Sequence, residues 1–448
     1  MTLKTGADSV GRLSQSKRKI QLKILPLRLI QQFNSHHPYG WNDGAMIAAK
    51  GWQSLISAGI YTRIGPLELQ LQPEYVYAAN PQYEHTPSYG SHTAAYHKLF
   101  PGQSAIQLSL LSLTGGLSTQ NLWWGPGRFS SLLMSNNAPG FLHAFFRSEK
   151  PIASPVGSFE WQLIGAKLKA STELPYENAH LTSQPQSGSR YLSAVILTYH
   201  PKWIPGIFLG VTRALQRYRA DIDKSGSSII DRYFPVFTKA VQKQGAFSDD
   251  TMRTDQLASF FVRWAFFKAR AELYAEYGLN DYAVNTRDYI QTPTHSAAYI
   301  VGFKKIVPLT GPDYVDLGIE LTQMSQSPDY LVRDAGNWYI HSQVVEGYTN
   351  ENQILGAGAG LGANVQTLTV NWVRNERQLG FLVERIDRDP VGHTYKWIDL
   401  SFGLQPQWKF GKAMVSGKIQ FINSSQYAWQ KDVNRFNLHS RIAVQYFF

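Results

Sequence analysis

From Ile20 to the C-terminus the chain repeats one texture. Short stretches of about 8–12 residues recur, aromatic and β-branched, in which apolar and polar side chains alternate. Val315, Leu317, Ile319 and Leu321 fall on one face, with Tyr314, Asp316, Glu320 and Thr322 on the other. Leu67, Leu69 and Leu71 alternate with Glu68, Gln70 and Gln72. Ala271, Leu273, Ala275 and Tyr277 alternate with Arg270, Glu272, Tyr274 and Glu276. Ile398, Leu400, Phe402 and Leu404 alternate with Trp397, Asp399 and Ser401. Period two is the signature of strands with one apolar and one polar face. No long segment carries a helical period.

The connections narrow the choice further. Tight turns are read at Ile64-Gly65-Pro66, Thr114-Gly115-Gly116, Pro201-Lys202, Asn375-Glu376-Arg377 and Phe410-Gly411. Long polar stretches stand at Ala78–Gln103, Ser171–Ser189, Tyr218–Asp255, Asn280–His295, Ser325–Gly336 and Asn423–Asn437. Short turns at one rim and long loops at the other are the layout of an antiparallel outer-membrane β-barrel, and an even strand number favours 16 or 18.

Composition agrees with an all-β membrane chain. Of 448 residues 13% are aromatic and only 17% charged. A mean hydropathy of -0.26 fits strands that face lipid on one side and a polar lumen on the other. A cation facing lipid at mid-depth costs about 2–4 kcal/mol, so Arg270, Glu272, Asp316, Glu320 and Arg441 are expected to point inward. Tyr61, Tyr75, Tyr77, Trp203 and Tyr339 are expected in the interfacial girdles. There is no cysteine, hence no disulfide and no thiolate metal site. The net charge of +11 suggests an anionic partner: an acidic polysaccharide, lipopolysaccharide phosphates, or nucleic acid. Met1–Lys19 is polar and basic, without the apolar core of a signal peptide, so we divide the chain into a 1–19 segment, disordered or truncated, and a 20–448 barrel.

At the other end, Ile442, Val444, Tyr446 and Phe448 alternate with Arg441, Ala443 and Gln445, and the chain closes on an aromatic. This resembles the terminal strand that barrel-insertion machinery reads in outer-membrane proteins.

One stretch departs from the strand pattern. Gln120–Phe141 sets Trp123 and Trp124 against Gly125-Pro126-Gly127, adds Arg128, and closes on Asn136 and Asn137 before Ala-Pro-Gly. Trp faces stack on sugar rings, while Arg and Asn bond hydroxyls and carboxylates. These five residues are the candidate polysaccharide contacts, with Tyr83, Tyr89, Tyr96 and Trp338 as weaker ones. The same features suit a packed turn, an aromatic belt, or a segment folded into the lumen.

Other motifs carry less. His36, His37 and Asp43 could ligate a metal, but neighbouring residues on a strand point apart, and an HHPYG turn is equally a loop. The glycine run Leu355–Ala363 is followed by a strand pattern, not the helix that a dinucleotide site requires, so it reads as a close backbone approach or a bend in a barrel wall. No nucleophile or paired-carboxylate motif stands out. No catalytic residue, metal or cofactor is assigned, and no nucleic-acid partner is expected.

The block from Leu25 to Asn80, the WWGPGRFSSLLMSNNAPGF stretch and EGYTNENQILGAGAGLGAN at Glu346–Asn364 together resemble the Wzi capsule-assembly family. The resemblance runs from about Leu25 to Phe448. It implies an eighteen-stranded outer-membrane barrel of a Gram-negative bacterium; inward folding of Gln120–Phe141 would leave it with a plugged or narrowed lumen. It also implies a lectin-like role, without enzyme activity, in attaching or organising capsular or extracellular polysaccharide. Relatives carry a helical portion on the periplasmic side near the N-terminus, and Met1–Lys19 is too short to supply it. The alternatives are a diffusion channel or export pore and, more remotely, a barrel enzyme acting on lipid or glycan.

Overall fold

A computed structural model describes residues 20–84, 94–171, 188–224, 229–237, 254–280, 294–327, 331 and 336–448. Met1–Lys19 and Tyr89 lie outside them. Twenty-one segments form one antiparallel sheet. Three strands are each interrupted once, so the barrel has eighteen.

In chain order they are β1 (Ile20–Asn34), β2 (Gly51–Ile64), β3 (Leu67–Leu71 with Glu74–Ala78), β4 (Tyr96–Phe100 with Ala105–Leu110), β5 (Leu113–Ser118) and β6 (His143–Ser148 with Ile152–Ser154). Next come β7 (Gly157–Leu168), β8 (Arg190–Pro201), β9 (Ile207–Tyr218), β10 (Asp255–Phe266), β11 (Ala271–Asn280) and β12 (Ala297–Pro308). The circuit ends with β13 (Asp313–Gln323), β14 (Asn364–Arg374), β15 (Arg377–Arg388), β16 (Trp397–Phe410), β17 (Ala413–Ser425) and β18 (Arg435–Tyr446).

Each strand pairs with its sequence neighbours, and β18 closes on β1 with Val444 opposite Leu29 and Ile442 opposite Gln31. Closure matters because lipid offers no partner to an open edge; in a complete ring the ladder satisfies the backbone. No described helix is long and apolar enough to cross a membrane, and the strands do the crossing. A short helix, Ile229–Tyr233, stands in the connection after β9.

The alternation sorts the side chains as expected. Ile319, Leu321, Leu273, Phe402, Phe421 and Ile442 are exposed on the outer face. Glu276, Glu320, Thr322, Asp399 and Ser401 are buried on the inner face. Glu272, Asp316 and Arg441 share that inner face.

Arg270 corrects the expectation: it sits in the turn before β11 at φ 48°, outside the lumenal row. Thr114-Gly115-Gly116 is likewise no turn but the middle of β5; a Cβ at Gly116 would lie 2.2 Å from the Ile106 carbonyl, so glycine there permits strand contact. The turn is at 111–112. Tyr75, Tyr77 and Trp203 are exposed as girdle residues should be. Tyr61 shares the inward face of β2 with Ser57, and Tyr339 is fully buried away from lipid.

The main core is inside the barrel, in the half nearer the long loops. Loop segments 35–50, 119–142 and 336–363 turn inward and bury Tyr39, Leu122, Trp124, Leu132, Leu133, Met134, Trp338, Tyr339, Tyr348 and Leu355. They pack on an apolar arc of wall, including Ile164 on β7, Ile196 on β8, Ala214 on β9 and Phe261 on β10. The expected bend in the wall at the glycine run is not there: 355–363 belongs to this plug. Cβ atoms at Gly356 and Gly358 would lie 2.1 Å from the Leu132 carbonyl and from Asn137 Oδ1. The run therefore allows two loops to touch.

Candidate functional site

Gln120–Phe141 is the centre of the plug. Its descent into the lumen begins at Asn121, whose side chain donates to the Ala138 carbonyl at 2.7 Å and draws the two ends of the stretch together. Trp124 N–H meets the Met134 carbonyl at 3.1 Å, and Ser131 Oγ donates to the Trp124 carbonyl at 2.7 Å. The glycines around Pro126 are needed for close approach. A Cβ at Gly127 would stand 2.0 Å from the Ser130 carbonyl, and one at Gly125 2.7 Å from a Glu276 oxygen.

The tip is held by a carboxylate of the wall. Glu320 on β13 accepts the successive backbone N–H groups of Arg128 (2.6 Å), Phe129 (3.1 Å) and Ser130 (2.8 Å), together with the Tyr274 hydroxyl (2.7 Å). Three amides converging on one anion form a nest, built here from the plug and filled by the wall. Glu276 on β11 accepts Leu132 N–H at 3.3 Å and the Ser259 hydroxyl at 2.8 Å. Arg128 extends further toward the short turns and ion-pairs with Asp316 at 2.8 Å.

The other two loops lock against this one. Ser135 N–H and Asn137 Nδ2 donate to the carbonyls of Leu355 (2.8 Å) and Ile354 (3.1 Å). The Tyr339 hydroxyl donates to the Leu132 carbonyl at 2.8 Å. Gly44 N–H donates to the Asn136 carbonyl at 2.7 Å. Buried Arg190 on β8 reaches the carbonyl of Thr349 at 2.9 Å, fixing the third loop to the wall. The Tyr39 hydroxyl donates to Glu384 on β15 at 2.7 Å.

The five candidate residues therefore divide. Trp124 is buried with its indole N–H 3.4 Å from Gln162 Oε1, and Asn137 is buried between loops. Trp123 and Arg128 are half-buried, and Asn136 is exposed. Among the weaker candidates Tyr83, Tyr96 and Trp338 are buried, Trp338 donating to the Ser296 carbonyl at 2.9 Å. The wall carboxylates Glu276 and Glu320 were legible as inward positions but not as plug anchors. Arg190 gave no signal at all in the sequence.

His36, His37 and Asp43 do not converge. The imidazoles touch at 3.2 Å between Nδ1 atoms, whereas Asp43 pairs with Arg441 at 3.3 Å. No metal-holding group of His, Asp and Glu occurs among the described residues. Burial pushes His37 down to about 3, so this loop imidazole is neutral at physiological pH.

Comparisons with known proteins agree with the architecture. The family model for the capsule assembly protein Wzi matches residues 56–437. Wzi of Escherichia coli is described as an outer membrane protein involved in group 1 capsule assembly and as a carbohydrate-binding β-barrel. It superposes with a TM-score of 0.65 at 11% identity, over 95% of this chain and 85% of that one. OccAB3 of Acinetobacter baumannii superposes at 0.50 with 10% identity, over 95% and 99%. At such identities the likeness is one of fold. No curated protein matches the chain in sequence.

Proposed function

The chain belongs to the Wzi capsule-assembly family, and from that premise we propose that it is a non-enzymatic lectin of the Gram-negative outer membrane. Its polysaccharide binding in capsule assembly takes the form of anchoring or organising capsular or extracellular polymer at the cell surface. The observation that carries the reading is the plug. Three loops fill the loop half of the lumen with a hydrogen-bonded, apolar core, which suits a binding scaffold better than the alternative of a diffusion channel or export pore. Trp123 and Asn136 are the proposed contacts, and buried Trp124 and Asn137 hold them in place; Arg128, turned toward the short turns and paired with Asp316, stands apart from them. Lipid and lipopolysaccharide surround the outer face, and the Tyr446–Phe448 end is offered to insertion machinery during biogenesis.

The test is retention of refolded protein on immobilised capsular polysaccharide, comparing wild type with Trp123→Ala and Asn136→Ala. Weaker retention by either variant supports the assignment. Equal retention removes these residues from the site, and no retention by the wild type removes the lectin reading. Planar-bilayer recording decides against the pore: silence is expected, and steady large openings would overturn it.

A further inference from the structure

Below the plug, the lumen carries ion pairs with a consistent polarity. Arg28 pairs with Glu74, Arg63 with Glu68, Arg263 and Lys304 with Glu272, Arg128 with Asp316, and Arg441 with Asp43. In every pair the cation is the more exposed partner. Arg28 has a side-chain exposure of 37% against 4% for Glu74, Lys304 30% against 13% for Glu272, and Arg441 30% against 12% for Asp43. The carboxylates lie behind and the ammonium and guanidinium groups in front. A charge nearer the water governs the local potential, and low-dielectric walls focus it.

Lys418 adds to this layer. It is half-buried, faces inward with Gln420, and lies opposite Arg441 in the β17–β18 register. Two carboxylates stand near this row, Glu384, which accepts from Gln420 Nε2 at 3.3 Å, and Asp43, paired with Arg441. Both are engaged elsewhere, Glu384 by the Tyr39 hydroxyl at 2.7 Å and Asp43 by Arg441 at 3.3 Å. Among the described residues no carboxylate lies within ion-pair distance of the Lys418 ammonium. In the same inner row Arg441 stands opposite Gln32, whose amide nitrogen and oxygen are buried without a partner among the described residues.

The cations form two arcs. Lys418, Arg441 and Arg28 occupy the adjacent strands β17, β18 and β1. Arg263 and Lys304, with Arg128 of the plug, occupy the arc of β10 to β13. The wall strands that carry them, β10 and β12 against β17, β18 and β1, stand five to nine apart in the eighteen-stranded ring.

We propose that this basic cup, between the plug and the short turns, binds a carboxylate-bearing stretch of glycan that enters from the short-turn side. The inference rests on the polysaccharide-binding reading and names a second, separate place for it. Guanidinium and ammonium groups on the two arcs suit carboxylates spaced along a polymer, whereas a neutral glycan would leave Lys418 without a carboxylate partner.

The experiment is isothermal titration of the refolded full chain with oligogalacturonate, and with isomalto-oligosaccharides as the neutral control. The variants are Lys418→Gln and Lys304→Gln. Each leaves its neighbouring carboxylates paired, Glu272 through Arg263 and Asp43 through Arg441. Lys305→Gln, on the outer face by alternation, controls for net charge. Heat-modifiable electrophoretic migration reports that each barrel is folded.

Oligogalacturonate binding is expected to weaken about fivefold in each lumenal variant, to fall with added salt, and to be unaffected by Lys305→Gln. Equal affinity in wild type and both lumenal variants overturns the cup, even when Trp123→Ala still reduces polymer retention and so keeps the lectin reading. Equal binding of the neutral oligomer also overturns it. Failure of the wild type to retain any polysaccharide, acidic or neutral, removes both readings together.

Discussion

The carboxylate of Glu320 accepts the backbone N–H of Arg128 at 2.6 Å, joining the β13 wall to the tip of a loop 192 residues earlier. Phe129 and Ser130 bond the same group, so one side chain of the wall seats one turn of the plug.

Glu320→Ala is expected to unseat that turn. It would strand three backbone donors and the Tyr274 hydroxyl at a buried site, at about 3–5 kcal/mol of plug stability. Hydrogen exchange of the amides in 124–137 should accelerate while those of β10 to β14 keep their protection. Glu320→Gln, which retains one acceptor oxygen, should show a smaller change.

Trp124→Ala and Trp123→Ala should behave differently. Truncating buried Trp124 leaves a cavity in the plug core and is expected to cost about 3–5 kcal/mol. Trp123 is half-buried and should cost distinctly less. Thermal unfolding of the loop core followed by near-ultraviolet circular dichroism would separate them. A loss of sugar binding in Trp124→Ala alone would report plug collapse rather than a lost contact.

Gly356→Ala should push two loops apart. Its Cβ would meet the Leu132 carbonyl at 2.1 Å, a backbone atom that cannot rotate away. A destabilisation of about 1–3 kcal/mol is expected, read as faster exchange at Leu132 and Leu355. Gly411→Ala is the contrast. It has open space, and only its positive φ of 54° opposes the change.

Acidification should loosen the 35–50 loop through His37. Its docked-state pKa is pushed down to about 3, below the 6.5 of the undocked residue. The undocked loop therefore binds the extra proton first, and the docked state loses stability as pH falls below 6.5. The slope approaches 1.4 kcal/mol per pH unit, which makes roughly 2 kcal/mol at pH 5. Exchange of the 38–47 amides at pH 5 should exceed that at pH 7 after correction for intrinsic rates, and His37→Gln should flatten the difference.

Much of the barrel is legible without coordinates because strand alternation is a local property. Ile319 and Glu320 are assigned to opposite faces by their neighbours alone, and the solvents on the two sides enforce it. The same reasoning misplaced Arg270, because a hairpin end is set by turn geometry, and Thr114-Gly115-Gly116, because glycine marks close strand contact as readily as a turn. Tyr339 read as an interfacial residue for want of any local sign that its loop folds inward.

The sequence by itself determined the membrane barrel, the family, and the singularity of Gln120–Phe141. Only the tertiary structure decided what that stretch does. Its Trp124 and Asn137 are interior anchors, its backbone is nested on Glu320, and its loop partners lie from about 90 to about 220 residues away. Such contacts have no period and no local composition. They arise when a closed ring brings distant loops into one enclosed volume, where every buried amide must find an acceptor.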